Sequence, residues 1–208
     1  MRRLIISMTG STGAIFGVRM LEALKGTDVE SHLVISKWAQ RTLEHETHYT
    51  VEQVRGLASV VHSHGDMGAS ISSGSFKTEG MVVMPCSVHT LAGIANGYGE
   101  TLVHRAADVV LKERRKLVLL VRETPLSEVH LENMLKLARM GVSIVPPMPA
   151  FYNHPQTVDD IVNHIVARVL DQFDIPAPFA KRWDGHMLTA AKIAALPPGV
   201  HPATKSGT

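Results

Sequence analysis

The 208 residues are 45% hydrophobic and 19% charged, and 21 lysines and arginines against 19 carboxylates leave a net charge of +2. This size accommodates one α/β domain with a buried core and a tail but is cramped for two domains, and a charge so near zero, with aromatics at only 5%, excludes a nucleic-acid-binding balance. The single cysteine, Cys86, rules out an internal disulfide framework and fits a reducing compartment such as the cytoplasm, while no stretch nears the roughly 18 consecutive apolar residues of a membrane helix.

Leu4 to Met8 is a short apolar strand; the run meets Gly10 too soon for a cleavable leader. "GSTG" then makes a tight turn, with Ser11 or Thr12 as a natural helix cap. Ile15, Val18, Leu21 and Leu24 follow at helical spacing until Gly26. "VESHLVIS" is a second strand, Trp38 to His45 a helix, and "TVEQ" from Thr50 the capping-box start of another. Residues 62–80, rich in Gly and Ser, are expected as a long surface loop of the kind that often carries function.

Met81 to Met84 is the third strand, followed by helices over Ser87 to Asn96 and Leu102 to Arg114; "KLVLLV" is the fourth. Pro125 starts a helical segment in which Leu131, Met134, Leu135 and Ala138 share a face, Gly141 closes it, and "VSIVP" is the fifth strand. The last helix spans Thr157 to Phe173, capped by Thr157 and Asp160. This alternation predicts an α/β fold of three layers with a mostly parallel sheet. After Phe173 the chain holds five of its 11 prolines, which predicts an extended arm to Trp183 and a looser tail over residues 184–208.

In such a sheet ligands bind beyond the carboxyl ends of the strands. There the sequence places "GSTG", Ser36, "CSVHT" and "RE", so glycines, hydroxyls and helix N-terminal amides converge on one crevice suited to a phosphate or a ring edge. "GSTGA" lacks the third glycine and later acidic residue of a dinucleotide fingerprint, and neither a nucleophile elbow nor a phosphate loop is present. Arg105 and Lys112, seven apart, share a helix face; Arg122 and Glu123 leave the fourth strand; Arg168 lies on the last helix with Tyr152 in the loop before it. Such cations and a tyrosine can hold an anionic phosphate, and Glu123 can move protons. Each also has a plain structural role, with "KERRK" a solvated helix end and Arg168 snorkelling from the core. "HETH" and "HSH" complete no metal-ligand set with one cysteine in the chain.

Six motifs in order, "MTGSTGAIFGVRML", "HLVISKWA", "ISSGSF", "PCSVHTLAGIANG", "RAADVVLKERRKLVLLVRETPLSEVHLENML" and "PMPAFYNHPQTVDDIV", resemble the UbiX-like flavin prenyltransferases. "SHGDMGASISSGSF", "LDQF" and "AKRW" are most similar to the small-subunit proteins of phenolic (hydroxyaryl) acid decarboxylase systems. The resemblance covers residues 4–183, one flavoprotein domain of 1–183, and implies a Rossmann-like fold. It also implies metal-free transfer of a dimethylallyl group from dimethylallyl phosphate to N5 and C6 of reduced FMN. The prenylated FMN would serve a separate UbiD-type decarboxylase, and the enzyme would be a homo-oligomer, typically a dodecamer, with sites between subunits. The alternative is an FMN-binding accessory protein of the decarboxylase without transferase activity. A decarboxylase of cysteine-derived substrates would want a histidine after the first helix that this chain lacks.

Carried onto this sequence, the resemblance puts FMN contacts on Gly10, Ser11, Thr12, Ser36, Ser87, Val88, His89, Thr90 and Arg122. It puts the prenyl phosphate on Lys112, Tyr152 and Arg168, with Arg105 and Glu46 nearby. Glu123, Thr12 and Lys112 are its catalytic set, Glu123 as the acid/base. Three positions depart from the family pattern: Thr12 replaces a common serine, which stiffens the side chain, His89 stands where Asn or Lys is usual, and Met67 lies where some members have tryptophan.

Overall fold

The protein is represented by a computed structural model that describes residues 2–183 together with 185, 187 and 195. Its strands are β1 (Arg2–Met8), β2 (Val29–Ile35), β3 (Val60–His62), β4 (Gly80–Cys86), β5 (Lys116–Val121) and β6 (Ser143–Ile144). Its helices are α1 (Ala14–Leu24), α2 (Lys37–Glu46), α3 (Val51–Arg55), α4 (Val88–Ala95), α5 (Leu102–Lys112), α6 (Glu128–Arg139) and α7 (Val158–Asp171). The sheet runs β3-β2-β1-β4-β5-β6 with every pairing parallel. The parallel pairing is what the alternation predicts, and the Rossmann-like order is what the family resemblance implies.

The continuous apolar runs are explained by cover on both faces. Leu4, Ile6 and Met8 of β1, with Val82, Met84, Val118 and Leu120, pack under α1 and α7. The intervening Ile5, Met81, Val83, Leu117 and Leu119 pack under α4 and α5. From β1 the chain winds outward through β2 and β3, then returns to place β4 on the other side of β1. The connections after β1 and β4 therefore diverge at the carboxyl edge and leave a crevice between them.

Several local expectations change. A sixth strand, β3, is present; three residues with only partial burial carry too short a period-2 signal to register in sequence. The expected surface loop over 62–80 folds back instead. Ile71 is buried within a 3-10 turn (Ser70–Ser72), and Arg115 donates to the carbonyls of Phe76 and Gly74 at 2.8 and 2.6 Å. The cap of α1 is neither Ser11 nor Thr12 but Gly13, in the left-handed region at φ 100°, while the Glu46 carboxylate accepts from the Gly13 and Ala14 amides at 2.8 and 3.1 Å. Helix α6 starts at Glu128 under a Ser127 cap rather than at Pro125.

The face expected to be buried on α6 also differs: Asn133 and Leu137 point inward, whereas Leu131 and Leu135 are each 51% exposed. The capping boxes at Thr50 and Thr157 and the Ser87 cap form as the sequence predicts. The tail expected over 184–208 lies almost wholly outside the described residues.

Candidate functional site at the carboxyl edge of the sheet

Four strand exits are stitched together here. Thr9, directly after β1, donates its hydroxyl to the Pro85 carbonyl at 2.8 Å and accepts from the Ser87 amide at 2.8 Å. Ser36 donates its amide to the Met8 carbonyl at 3.0 Å, and the Arg122 amide donates to the Cys86 carbonyl at 3.1 Å. The helices that follow start at this edge. Ser36 caps α2, accepting from the Ala39 amide at 3.1 Å, and Ser87 caps α4, accepting from Thr90 at 3.3 Å. Two helix N-termini with their partial positive charge thus face one space.

That space is a pocket of about 1100 Å³. Gly10, Ser36, Ser87, His89 and Thr90, all expected as flavin contacts, line it. Ser11 follows on the same loop, and its buried hydroxyl has no hydrogen-bond partner among the described residues. Thr12 beside it is exposed. A buried unpaired hydroxyl costs about 1–3 kcal/mol unless a ligand or water completes it. This orphan, the hydroxyl set and the two helix N-termini fit the phosphate and polar ring edge of a flavin mononucleotide. Gly10 allows Trp38 to close one wall, since a Cβ there would stand 2.6 Å from Trp38 Cβ. Val88 is half-buried in the first turn of α4.

Sequence reasoning missed part of the wall: Thr9, Lys37, Trp38, Arg55, His62, His64 and His104. Thr9 was legible as the residue next to Gly10. The sequence offers these histidines only as a metal set, and no cluster of three His, Cys, Asp or Glu side chains able to hold a metal occurs among the described residues. Burial lowers the pKa of His62, His64 and His104 below the ordinary value; His32 adds to the effect on His62, Lys37 to that on His64, and His89 and His64 to that on His104. Burial pushes the Cys86 thiol well up, so it is an inert packing group.

The remaining expected residues are not gathered in one chain. Arg122 and Glu123 leave β5 at this edge; the Arg122 guanidinium makes no hydrogen bond or ion pair among the described residues, and Glu123 accepts from the Thr124 amide at 2.9 Å. Lys112 ends α5, four residues before β5 begins, which puts it at the amino edge of the sheet, paired with Glu113 beside Gly74. Arg168, in the last turn of α7, also nears the amino edge, where the Phe173 carbonyl accepts from Arg2 at 2.6 Å. Tyr152 packs edge-on against His164, one turn from Arg168, and against Trp183. Arg105 donates to the Ser72 carbonyl at 3.2 Å and pairs with Asp108. Met67 is 45% exposed.

A three-layer parallel sheet with hydroxyls and helix N-termini at its switch point defines a flavoprotein-type α/β protein, and the family model described as Flavoprotein matches residues 1–170. A probable UbiX-like flavin prenyltransferase of Streptomyces sp. (strain D7) is 66% identical over 93% of this chain and 96% of its own length. The crystal structure of a dodecameric FMN-dependent UbiX-like decarboxylase from Escherichia coli O157:H7 is 63% identical, with TM-score 0.87 over 88% of this chain and all of that one. AnUbiX (PadA1), solved with FMN and dimethylallyl pyrophosphate, is 50% identical, with TM-score 0.88 over 89% and 99% of the two chains. The chain belongs to the UbiX-like flavin prenyltransferase family of flavoproteins.

Proposed function

We infer that the chain is a flavin prenyltransferase, joining the dimethylallyl group of dimethylallyl phosphate to N5 and C6 of reduced FMN and supplying prenylated FMN to a UbiD-type aromatic acid decarboxylase. The observation that carries this reading is the convergence of Gly10, Ser36, Ser87 and Thr90 with two helix N-termini on one pocket, beside a buried unpaired Ser11 hydroxyl. Relatives that share most of the chain are named for this activity, and one is solved with FMN and dimethylallyl pyrophosphate.

When bound and reduced, FMN supplies an electron-rich ring nitrogen as nucleophile. Ser11, Ser36, Ser87, Val88, His89 and Thr90 hold its polar groups through side chains and the α2 and α4 amides. Arg122, at the same edge, completes the flavin contacts, while the cations at the prenyl phosphate meet the negative charge that builds there as the allylic C–O bond breaks. Glu123 delivers a proton to that phosphate. Thr12 completes the catalytic set on the loop that Glu46 fixes through the Gly13 and Ala14 amides. Lys112, Arg105, Tyr152 and Arg168 are not among the residues that line this pocket in their own chain, so we assign them to a pocket completed by other copies.

A dodecamer like that of the Escherichia coli relative provides such copies. No helix among the described residues is long and apolar enough to cross a membrane, and we place the enzyme in the cytoplasm.

The test is anaerobic incubation with reduced FMN and either dimethylallyl phosphate or its pyrophosphate, followed by the mass of the extracted flavin. Gain of one five-carbon unit is expected. Flavin bound but unchanged in mass would favour the accessory-protein reading.

A further inference from the structure

Beside the pocket, on the α5 side of the sheet, lies a polar chain to which none of these roles falls. His32, on β2, is 3% exposed, and both its ring nitrogens are engaged: Nε2 with Glu30 Oε1 at 2.8 Å, and Nδ1 with His62 Nε2 at 2.9 Å. Glu30 also accepts from Arg3 at 2.9 Å, and His62 ends β3 in the pocket wall. Phe76 covers the chain, edge-on to His32 at 5.2 Å between ring centroids, with the Arg3 guanidinium 4.7 Å from its ring centre. The three groups thus run from the amino side of the sheet to its carboxyl edge, shielded from water for much of the way.

The chemistry of the partners fixes the tautomers. Contacts with His32 and Arg3 hold the Glu30 pKa below the usual carboxylate range, so it only accepts. His32 must then carry its proton on Nε2 and, while neutral, present a bare Nδ1. His62 must donate from Nε2 to meet it, which leaves His62 Nδ1 as a free lone pair. The groups around His62 are His32 from β2, Asp66 from the following loop, and His64, Lys37 and Arg55 along the pocket wall. Burial, the largest influence, keeps the His62 pKa below the ordinary value and the ring neutral at pH 7.

We propose that His62 is a general base of the pocket, with Glu30 and His32 its positioning residues, taking the proton that reduced flavin gives up during prenyl transfer. As the bond from N5 to the allylic carbon forms, the N5–H bond breaks with its electron pair left on nitrogen and its proton on His62 Nδ1. The electron pair of the C–O bond leaves with phosphate, which takes up one proton in turn. The Nε2 proton of His62 passes to His32 Nδ1, and the positive charge comes to rest beside the Glu30 carboxylate. This assignment rests on the prenyltransferase reading.

Two measurements test it. In flavin-free protein near pH 8, two-bond nitrogen–proton NMR, with His62 assigned through His62→Gln, should show Nδ1 unprotonated; Glu30→Gln, which can donate as well as accept, should populate the opposite tautomer. In anaerobic single turnovers with reduced FMN and dimethylallyl phosphate, both variants should bind FMN as the unmutated protein does yet form prenylated flavin at least about tenfold more slowly. The fall in rate toward low pH should vanish in His62→Gln. Should that variant fail to bind flavin, Glu30→Gln carries the rate test alone. A protonated Nδ1 in the unmutated protein, or rates and pH profile unchanged in both variants, overturns the assignment alone. Absence of product from the unmutated protein overturns the prenyltransferase reading, and this assignment with it.

Discussion

Glu123 and Arg168 separate chemistry from binding most cleanly, because neither supports the core. Among the described residues the Glu123 carboxylate hydrogen-bonds only its neighbour's amide, so Glu123→Gln keeps size and hydrogen bonding and removes proton transfer. FMN should still bind, with prenylation slowed by roughly two to four powers of ten in anaerobic single turnovers. Among the described residues Arg168 pairs only with Asp171, which also pairs with Arg182 at 2.6 Å. Arg168→Ala should therefore leave folding and flavin titration unchanged while raising the KM for the prenyl phosphate about ten- to hundredfold, the loss of one charge-assisted contact worth about 1.5–3 kcal/mol. An equal loss of flavin affinity would identify a structural arginine instead.

Among the elements, α1 shows how tightly a helix can be tied to the sheet that aims its loop. A Cβ on Gly17 would stand 2.7 Å from the Met84 carbonyl oxygen and 2.8 Å from Met8 Cγ. Alanine would gain about 1 kcal/mol of helix propensity, but the carbonyl belongs to β4 and cannot yield. Overpacking of about 1–3 kcal/mol should dominate, lowering Tm in a thermal melt by several degrees and loosening flavin binding. Helix α6 is the opposite case: Val129, Leu131, Leu135 and Met140 lie exposed in the single chain. Replacing Leu131 and Leu135 together by Glu should leave secondary structure intact and lower the native mass measured by light scattering; an unchanged mass would exclude this face from assembly.

For the whole molecule, acid lability follows from where its histidines sit. Burial lowers the folded-state pKa of His62, His64, His104 and His164 below 6.5, so the unfolded chain takes up protons first. Stability should begin to fall as pH drops below 6.5 and go on falling until each folded value is reached. Glu30, Asp160 and Asp171 have pKa values lowered by their partners, and their contribution is lost at still lower pH, through the carboxylate range. Urea midpoints at pH 7.5, 5.5 and 4 should therefore decline in two stages, whereas a flat profile down to pH 5.5 would show that these rings are protonated in the folded protein.

The sequence by itself determined the alternation of strands and helices, the caps of α3, α4 and α7 and the hydroxyls at the strand exits, because each is a short-range property: a two-fold or 3.6-fold repeat, or a cap three residues from its amide. It determined the family as well, through long motifs in fixed order. Only the tertiary structure decided what depends on partners distant in the chain. Glu46 caps α1 from more than thirty residues away, α6 leaves its apolar stripe uncovered, and Lys112 and Arg168 end their helices near the amino edge of the sheet while the pocket opens at its carboxyl edge. A three-residue strand and a carboxylate–histidine–histidine chain spread over two strands leave almost no local pattern, since parallel neighbours are brought into register by long crossovers and not by adjacency.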